Sequence, residues 1–201
     1  MGLFNISEML NGNDVASPSE HTTRSTSTCE RFENVHLEKV NSLKQLLGRV
    51  PGQGEIFFLW TLNSFNAFTF ITYVIKHFGK IKQLTFSTYS INERILTSLV
   101  KWYDKGCIER IYICISDSIR SRVPKVNDQL QAFASTRNID IGYAWNHSKV
   151  TLIQTAEHHF VVAGSGNFSE NALNEQYIFL NDEQIFNFFD DCIRNRSDRR
   201  E

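Results

Sequence analysis

His147-Ser148-Lys149 puts an imidazole and an ammonium two residues apart. In extended backbone that spacing turns both to one side, because successive side chains alternate faces. An imidazole has a nucleophilic nitrogen and titrates near neutral pH, so it can attack phosphorus or carry a proton. The ammonium of Lys149 supplies fixed charge for phosphoryl oxygens that become more negative as a nucleophile approaches. Further on, Gly164-Ser165-Gly166-Asn167-Phe168 brings a hydroxyl, an amide and backbone N–H groups on a small-residue turn suited to a concave anion site. Glu175 follows, an acid of the kind that hydrogen-bonds an imidazole and sets its tautomer. Taken singly, each group has an ordinary reading: a surface histidine, a solvated lysine, a Gly-Ser-Gly turn, an exposed glutamate. In combination and in this order they can hold a phosphodiester and attack it without a metal.

Such groups must be carried by a frame. Residues 11–30 are rich in Ser, Thr, Asn and Gly and too poor in large apolar side chains to offset chain entropy, which predicts a loose arm. Val35, Val40, Leu43, Leu46 and Leu47 fall near helical spacing, which predicts a helix over 35–47 that Gly48 ends. Strand and helix patterns then alternate. Strands are expected at 55–60, 83–88, 108–115 and 139–145. Helices are expected at 65–78, 92–103 (with Asn92 as N-cap) and 126–135. That order argues for an α/β fold with a mixed, mostly parallel sheet flanked by helices on both faces. Residues 150–154 and 159–163 read as a hairpin turning at Ala156-Glu157, followed by a strand at 176–180 and a helix at 183–194. The expected division is an arm over 1–34, an α/β domain over 35–195 and a flexible tail over 196–201.

Composition narrows the function. The 201 residues are 41% hydrophobic with sixteen Phe, enough for one domain with a real core. A formal net charge of −1 and a pI near 6.6 lack the basic footprint of a dedicated high-affinity DNA-binding module. A nuclease needs only local positive potential. Cys29, Cys107, Cys114 and Cys192 show no C-x-x-C spacing, so zinc is not expected and buried thiols in a reducing compartment are. No secretory signal, bilayer-length apolar run or myristoylation motif (Ile6 stands where Ser or Thr is required) is visible, so a cytoplasmic protein without stable membrane association is the expectation.

The order H-x-K, apolar hairpin, G-S-x-N-F and N-E resembles one half of the phospholipase D superfamily, also called the HKD superfamily. The likeness is detailed over the last third of the chain, and the preceding β/α pattern is compatible with that fold over about residues 50–195. The resemblance implies that His147 is a nucleophile that forms a phosphohistidine and that Lys149 and Asn167 bind phosphate. It further implies that Ser165 assists and Glu175 supports the histidine, with no cofactor and no metal. One departure stands out: Gln154 occupies the position, five residues after the lysine, where the family carries an aspartate. No internal repeat supplies a second H-x-K; His158-His159 is followed by neither a lysine nor a G-S-x-N.

Phosphodiester exchange of this kind needs two imidazoles, a nucleophile and a general acid. A single copy therefore implies a two-fold homodimer sharing one cleft, with a seam expected near Phe168, Leu173 and Tyr177. Arg120, Arg122 and Lys125 are expected on the same carboxyl edge as His147, where they could guide a nucleic-acid backbone, DNA or RNA. The leading expectation is a metal-independent phosphodiesterase, specifically a nuclease. A binding module of the same fold and a lipid phosphodiesterase are the alternatives.

Overall fold

Gln83–Thr88 and Ile111–Ser116 are buried along their whole length, as strands covered on both faces must be. They sit inside an eight-stranded sheet. The computed structural model describes residues 34–40, 43, 47–62, 66–169 and 174–197, and the predicted arm lies outside them. In chain order the strands are β1 (Asn34–Val40), β2 (Glu55–Thr61), β3 (Gln83–Thr88), β4 (Ile111–Ser116), β5 (Ile139–Ala144), β6 (Val150–Gln154), β7 (His159–Gly164) and β8 (Gln176–Asn181). The helices are α1 (Phe68–Phe78), α2 (Glu93–Asp104), α3 (Ile119–Arg122), α4 (Pro124–Ala134) and α5 (Glu183–Ser197).

The spatial order is β1-β2-β8-β7-β6-β3-β4-β5. The pairs β1–β2, β3–β4 and β4–β5 are parallel, and the four pairs from β2 through β8, β7 and β6 to β3 are antiparallel. Only β6 and β8 therefore run against the rest. This arrangement is the mixed α/β sheet that the sequence pattern implies, although four of its seven strand pairs are antiparallel rather than most being parallel. It also sends the carboxyl ends of β2, β3, β4, β5 and β7 and the starts of β6 and β8 to one edge.

Two cores flank the sheet. The larger lies under α1, α2 and α4 and includes Phe70, Ile71, Leu99, Leu130, Phe86 and Phe160. The smaller lies under α5, where Phe186 and Ile193 meet Leu152, Val161 and Cys114. A polar clamp fastens α5: Thr85 donates to Asp190 Oδ1 at 2.8 Å, and Arg194 donates to Asp190 Oδ2 at 2.8 Å.

The segment 34–40 departs from expectation. It is a strand pairing parallel to β2, with Val35 opposite Ile56 and Leu37 opposite Phe58. Val35 and Leu37 also fit a two-residue alternation, and the open edge of β2 resolves the ambiguity in favour of ladder hydrogen bonds. The first described strand starts at Asn34, and α5 runs to Ser197. The loop after β4 contains α3, which propensity alone does not distinguish from a turn.

Asn92 caps α2 as expected, its Oδ1 accepting from Ile95 N at 2.9 Å. Asn92→Ala should cost about 1 kcal/mol of stability, read as a lower denaturation midpoint at unchanged slope. An unshifted midpoint would show that the cap contributes nothing.

Candidate active site

The H-x-K segment enters β6 at the common edge of the sheet. His147 is exposed and Lys149 half-buried. Lys149 Nζ lies 3.3 Å from His147 Nδ1 and donates to His147 O at 2.9 Å. The ammonium can only donate, so at rest Nδ1 is an acceptor and the ring proton belongs on Nε2.

The glycine turn leaves β7 on the neighbouring strand. Gly164 N donates to Lys149 O at 3.2 Å, which ties the turn to the H-x-K segment. A Cβ at 164 would lie 2.6 Å from Tyr177 Cδ1 and 3.2 Å from Tyr177 Cα, so glycine is required here by the close approach of β8.

Ser165 and Glu175 form a unit. The Ser165 hydroxyl donates to Glu175 Oε2 and accepts from Gln176 N at 3.1 Å. Glu175 is buried, and its backbone is held by Thr61: Glu175 N donates to Thr61 Oγ1 at 2.7 Å, and Thr61 N donates to Glu175 O at 2.8 Å. Among the described residues the Glu175 carboxylate makes no hydrogen bond to His147. The expected acid–imidazole contact is replaced by an acid–hydroxyl contact that fixes the turn.

Asn167 lies over the end of β3, with Thr88 Oγ1 3.5 Å from its Oδ1. Phe168 anchors it. The Phe168 ring stacks on Phe86 with centroids 4.3 Å apart, and its backbone exchanges hydrogen bonds with the β3–α2 connection, to Ser90 O at 3.2 Å and from Asn92 N at 3.0 Å. Phe168 is 1% and Tyr177 2% exposed, so neither can line a dimer seam. Their apolar character serves the core instead. Leu173 lies outside the described residues.

Gln154 stands at the opposite end of β6, paired with Gln83 and 3.1 Å from His159 Nε2. Five residues of strand separate it from Lys149, about 16 Å. It therefore lies at the far end of the strand from the edge that carries His147.

Several neighbours of the site were not singled out from sequence. The Tyr89 ring lies 4.9 Å from the His147 ring, and the Arg122 guanidinium stacks over Tyr89 at 4.8 Å. Asn146 Nδ2 donates to Ser87 Oγ at 2.7 Å, and its Oδ1 accepts from Ser148 N at 2.9 Å, which braces the H-x-K loop. Tyr89 follows the carboxyl end of β3, so the rule that points to His147 points equally to it. Of the three basic residues expected at this edge, Arg122 reaches Tyr89 and Arg120 stacks on Tyr143 at 4.0 Å. Lys125 turns to Glu93, whose carboxyl is held below its ordinary range first by a hydrogen bond from Gln129 and then by the Lys125 charge.

Among the described residues no three His, Cys, Asp or Glu side chains gather as a metal site, and no helix is long and apolar enough to cross a membrane.

No family model and no curated protein matches the sequence. Solved structures do. Polyphosphate kinase from Porphyromonas gingivalis superposes at a TM-score of 0.54 and 15% identity, over 88% of this chain and 32% of that one. Phosphatidylserine synthase from Haemophilus influenzae superposes at 0.50 and 10% identity, over 72% of this chain and 38% of that one. TrmBL2, an archaeal chromatin protein, superposes at 0.45 and 11% identity, over 70% of this chain and 50% of that one. The chain thus spans half or less of each of these proteins. What this chain shares with polyphosphate kinase and phosphatidylserine synthase is the fold.

Proposed function

We propose that this protein is a metal-independent phosphodiesterase, specifically a nuclease, whose active site is completed by a second copy of the chain. The observation that carries this reading is the convergence at one sheet edge of His147 and Lys149 with the turn that bears Ser165 and Asn167. Positive charge from Lys149 and donors from Asn167 meet the phosphoryl oxygens, the role a metal ion plays in other phosphodiesterases. Ser165 and Glu175 hold the turn in place.

In the proposed cycle a bound phosphate draws Lys149 Nζ away from His147 Nδ1, the ring proton moves from Nε2 to Nδ1, and Nε2 attacks phosphorus; an N–P bond forms and the bond to one ester oxygen breaks. His147 of the second copy, protonated, gives its proton to that leaving oxygen. It then takes a proton from water as the water oxygen attacks phosphorus. The N–P bond breaks, and a phosphate monoester and the free imidazole are released. One chain carries one such histidine, so the scheme requires two chains. The partial coverage of polyphosphate kinase and phosphatidylserine synthase is compatible with a chain that amounts to part of such a site.

The test is hydrolysis of bis(4-nitrophenyl) phosphate in EDTA by the full chain, with its mass measured in solution under the same conditions. Turnover by a dimer that survives chelation is the expected result. A strict need for a divalent ion, or full activity in a monomer, would overturn the scheme.

A further inference from the structure

Behind the H-x-K loop lies a cavity of about 680 Å³ between α5 and the ends of β3 to β6. Val150 belongs to the core under α5, so Ser148 and Asn146, at two-residue spacing, turn to that same side. His147 and Lys149 turn to the other side. One short segment therefore presents the phosphate-handling groups on one side and the cavity floor on the other, with adjacent residues about 3.3 Å apart along the chain.

The rim is unusual. Trp145 is 98% exposed and Phe188, on α5, 63% exposed, although both are large and apolar. Most of the lining is apolar (Val150, Phe189, Cys192, Ile193), with one ordered polar strip: Ser148 Oγ donates to Asn146 Oδ1 at 2.7 Å and lies 2.6 Å from Ser87 Oγ. Two lining residues, Tyr143 and Asp117, contact Arg120, whose guanidinium stacks on the former at 4.0 Å and pairs with the latter at 3.9 Å. The volume is in the range of small-ligand pockets. Exposed aromatic rings beside an apolar wall with one strip of amide and hydroxyl groups suit a flat heterocycle with hydrogen-bonding edges.

We infer that this cavity binds an unpaired nucleobase flanking the phosphate held at His147, so that the substrate is single-stranded nucleic acid. The inference rests on the reading of His147 and Lys149 as the phosphate site. A base in a duplex is stacked and paired and cannot reach the floor without being flipped out.

Binding of a short single-stranded oligodeoxynucleotide, followed by tryptophan emission and by anisotropy of a 5′ label, tests it. His147→Ala protein keeps the probe intact. Emission should fall on binding. In that background Trp145→Ala should weaken binding about tenfold, the effect of losing one stacked base. Trp145→Phe should retain most of the affinity while abolishing the emission change, which separates stacking from misfolding. Equal affinity in Trp145→Ala, an equal emission change with a duplex of the same sequence, or a change seen with phosphatidylcholine vesicles and not with the oligonucleotide would each overturn the inference. The two readings fail separately. Hydrolysis of bis(4-nitrophenyl) phosphate with no dependence of strand binding on Trp145 sinks the base pocket alone. Trp145-dependent strand binding without any hydrolysis sinks the catalytic reading alone.

Discussion

Replacing His147 with alanine should lower phosphodiester hydrolysis by at least about ten-thousand-fold, because in a shared site one substitution removes both the nucleophile and the general acid. The fold should survive. His147 is exposed, and its contacts are Lys149 and the Tyr89 ring, so stability should change by no more than about 0.5 kcal/mol. Mixing gives a sharper result. When wild-type and His147→Ala chains are unfolded and refolded together in equal amounts, about a quarter of the dimers carry two histidines. Activity per total protein should then fall to about a quarter, whereas independent subunits would retain about half. Retention of half would end the shared-site scheme while leaving His147 essential, and unchanged activity of the pure variant would end the role of His147 itself.

What the sequence made legible follows from how local each signal is. The strand and helix alternation after Glu55 rests on period-two and period-3.6 patterns a few residues long, and these survive folding: Gln83–Thr88 appears as expected, and Asn92 caps its helix. That these candidate residues share one edge was legible for a related reason. His147, Gly164 and Glu175 stand at the ends of apolar runs, and topology sends those ends to one edge. Two further features depend on partners distant in sequence. Residues 34–40 fit either period, and only the open edge of β2 makes them a strand. Phe168 and Tyr177 read as apolar residues beside a site. Their burial comes from Phe86 and Phe70, some eighty and one hundred residues away, whose ring centroids lie 4.3 and 5.0 Å from theirs. The partner of Glu175 was hidden in the same way. A carboxylate near both an imidazole and a hydroxyl can serve either, and here the Thr61 contacts fix its backbone while Ser165 takes the carboxylate.

Gly164→Ala should be the most damaging single-methyl change in the domain. The added Cβ would meet the Gln176 carbonyl oxygen and lie 2.6 Å from Tyr177 Cδ1. Neither neighbour can yield cheaply. Gln176 O accepts from Ser165 N at 3.1 Å, and Tyr177 is packed against Phe70 in the main core. The start of β8 must therefore move, at a cost of about 3 kcal/mol. The gain of about 0.4–1 kcal/mol from stiffening the unfolded chain does not offset it. For a domain of this size the midpoint of thermal unfolding should fall by about 6–12 °C. Gly48→Ala is the control, since a Cβ there meets nothing within 4 Å. The displacement also breaks the bond from Ser165 to Glu175 and loosens the turn that carries Asn167, so hydrolysis should decline even at temperatures where the variant remains folded. An unfolding midpoint matching that of Gly48→Ala would mean that β8 does not approach β7 as closely as described. The geometry assigned to Ser165 and Glu175 would fall with it.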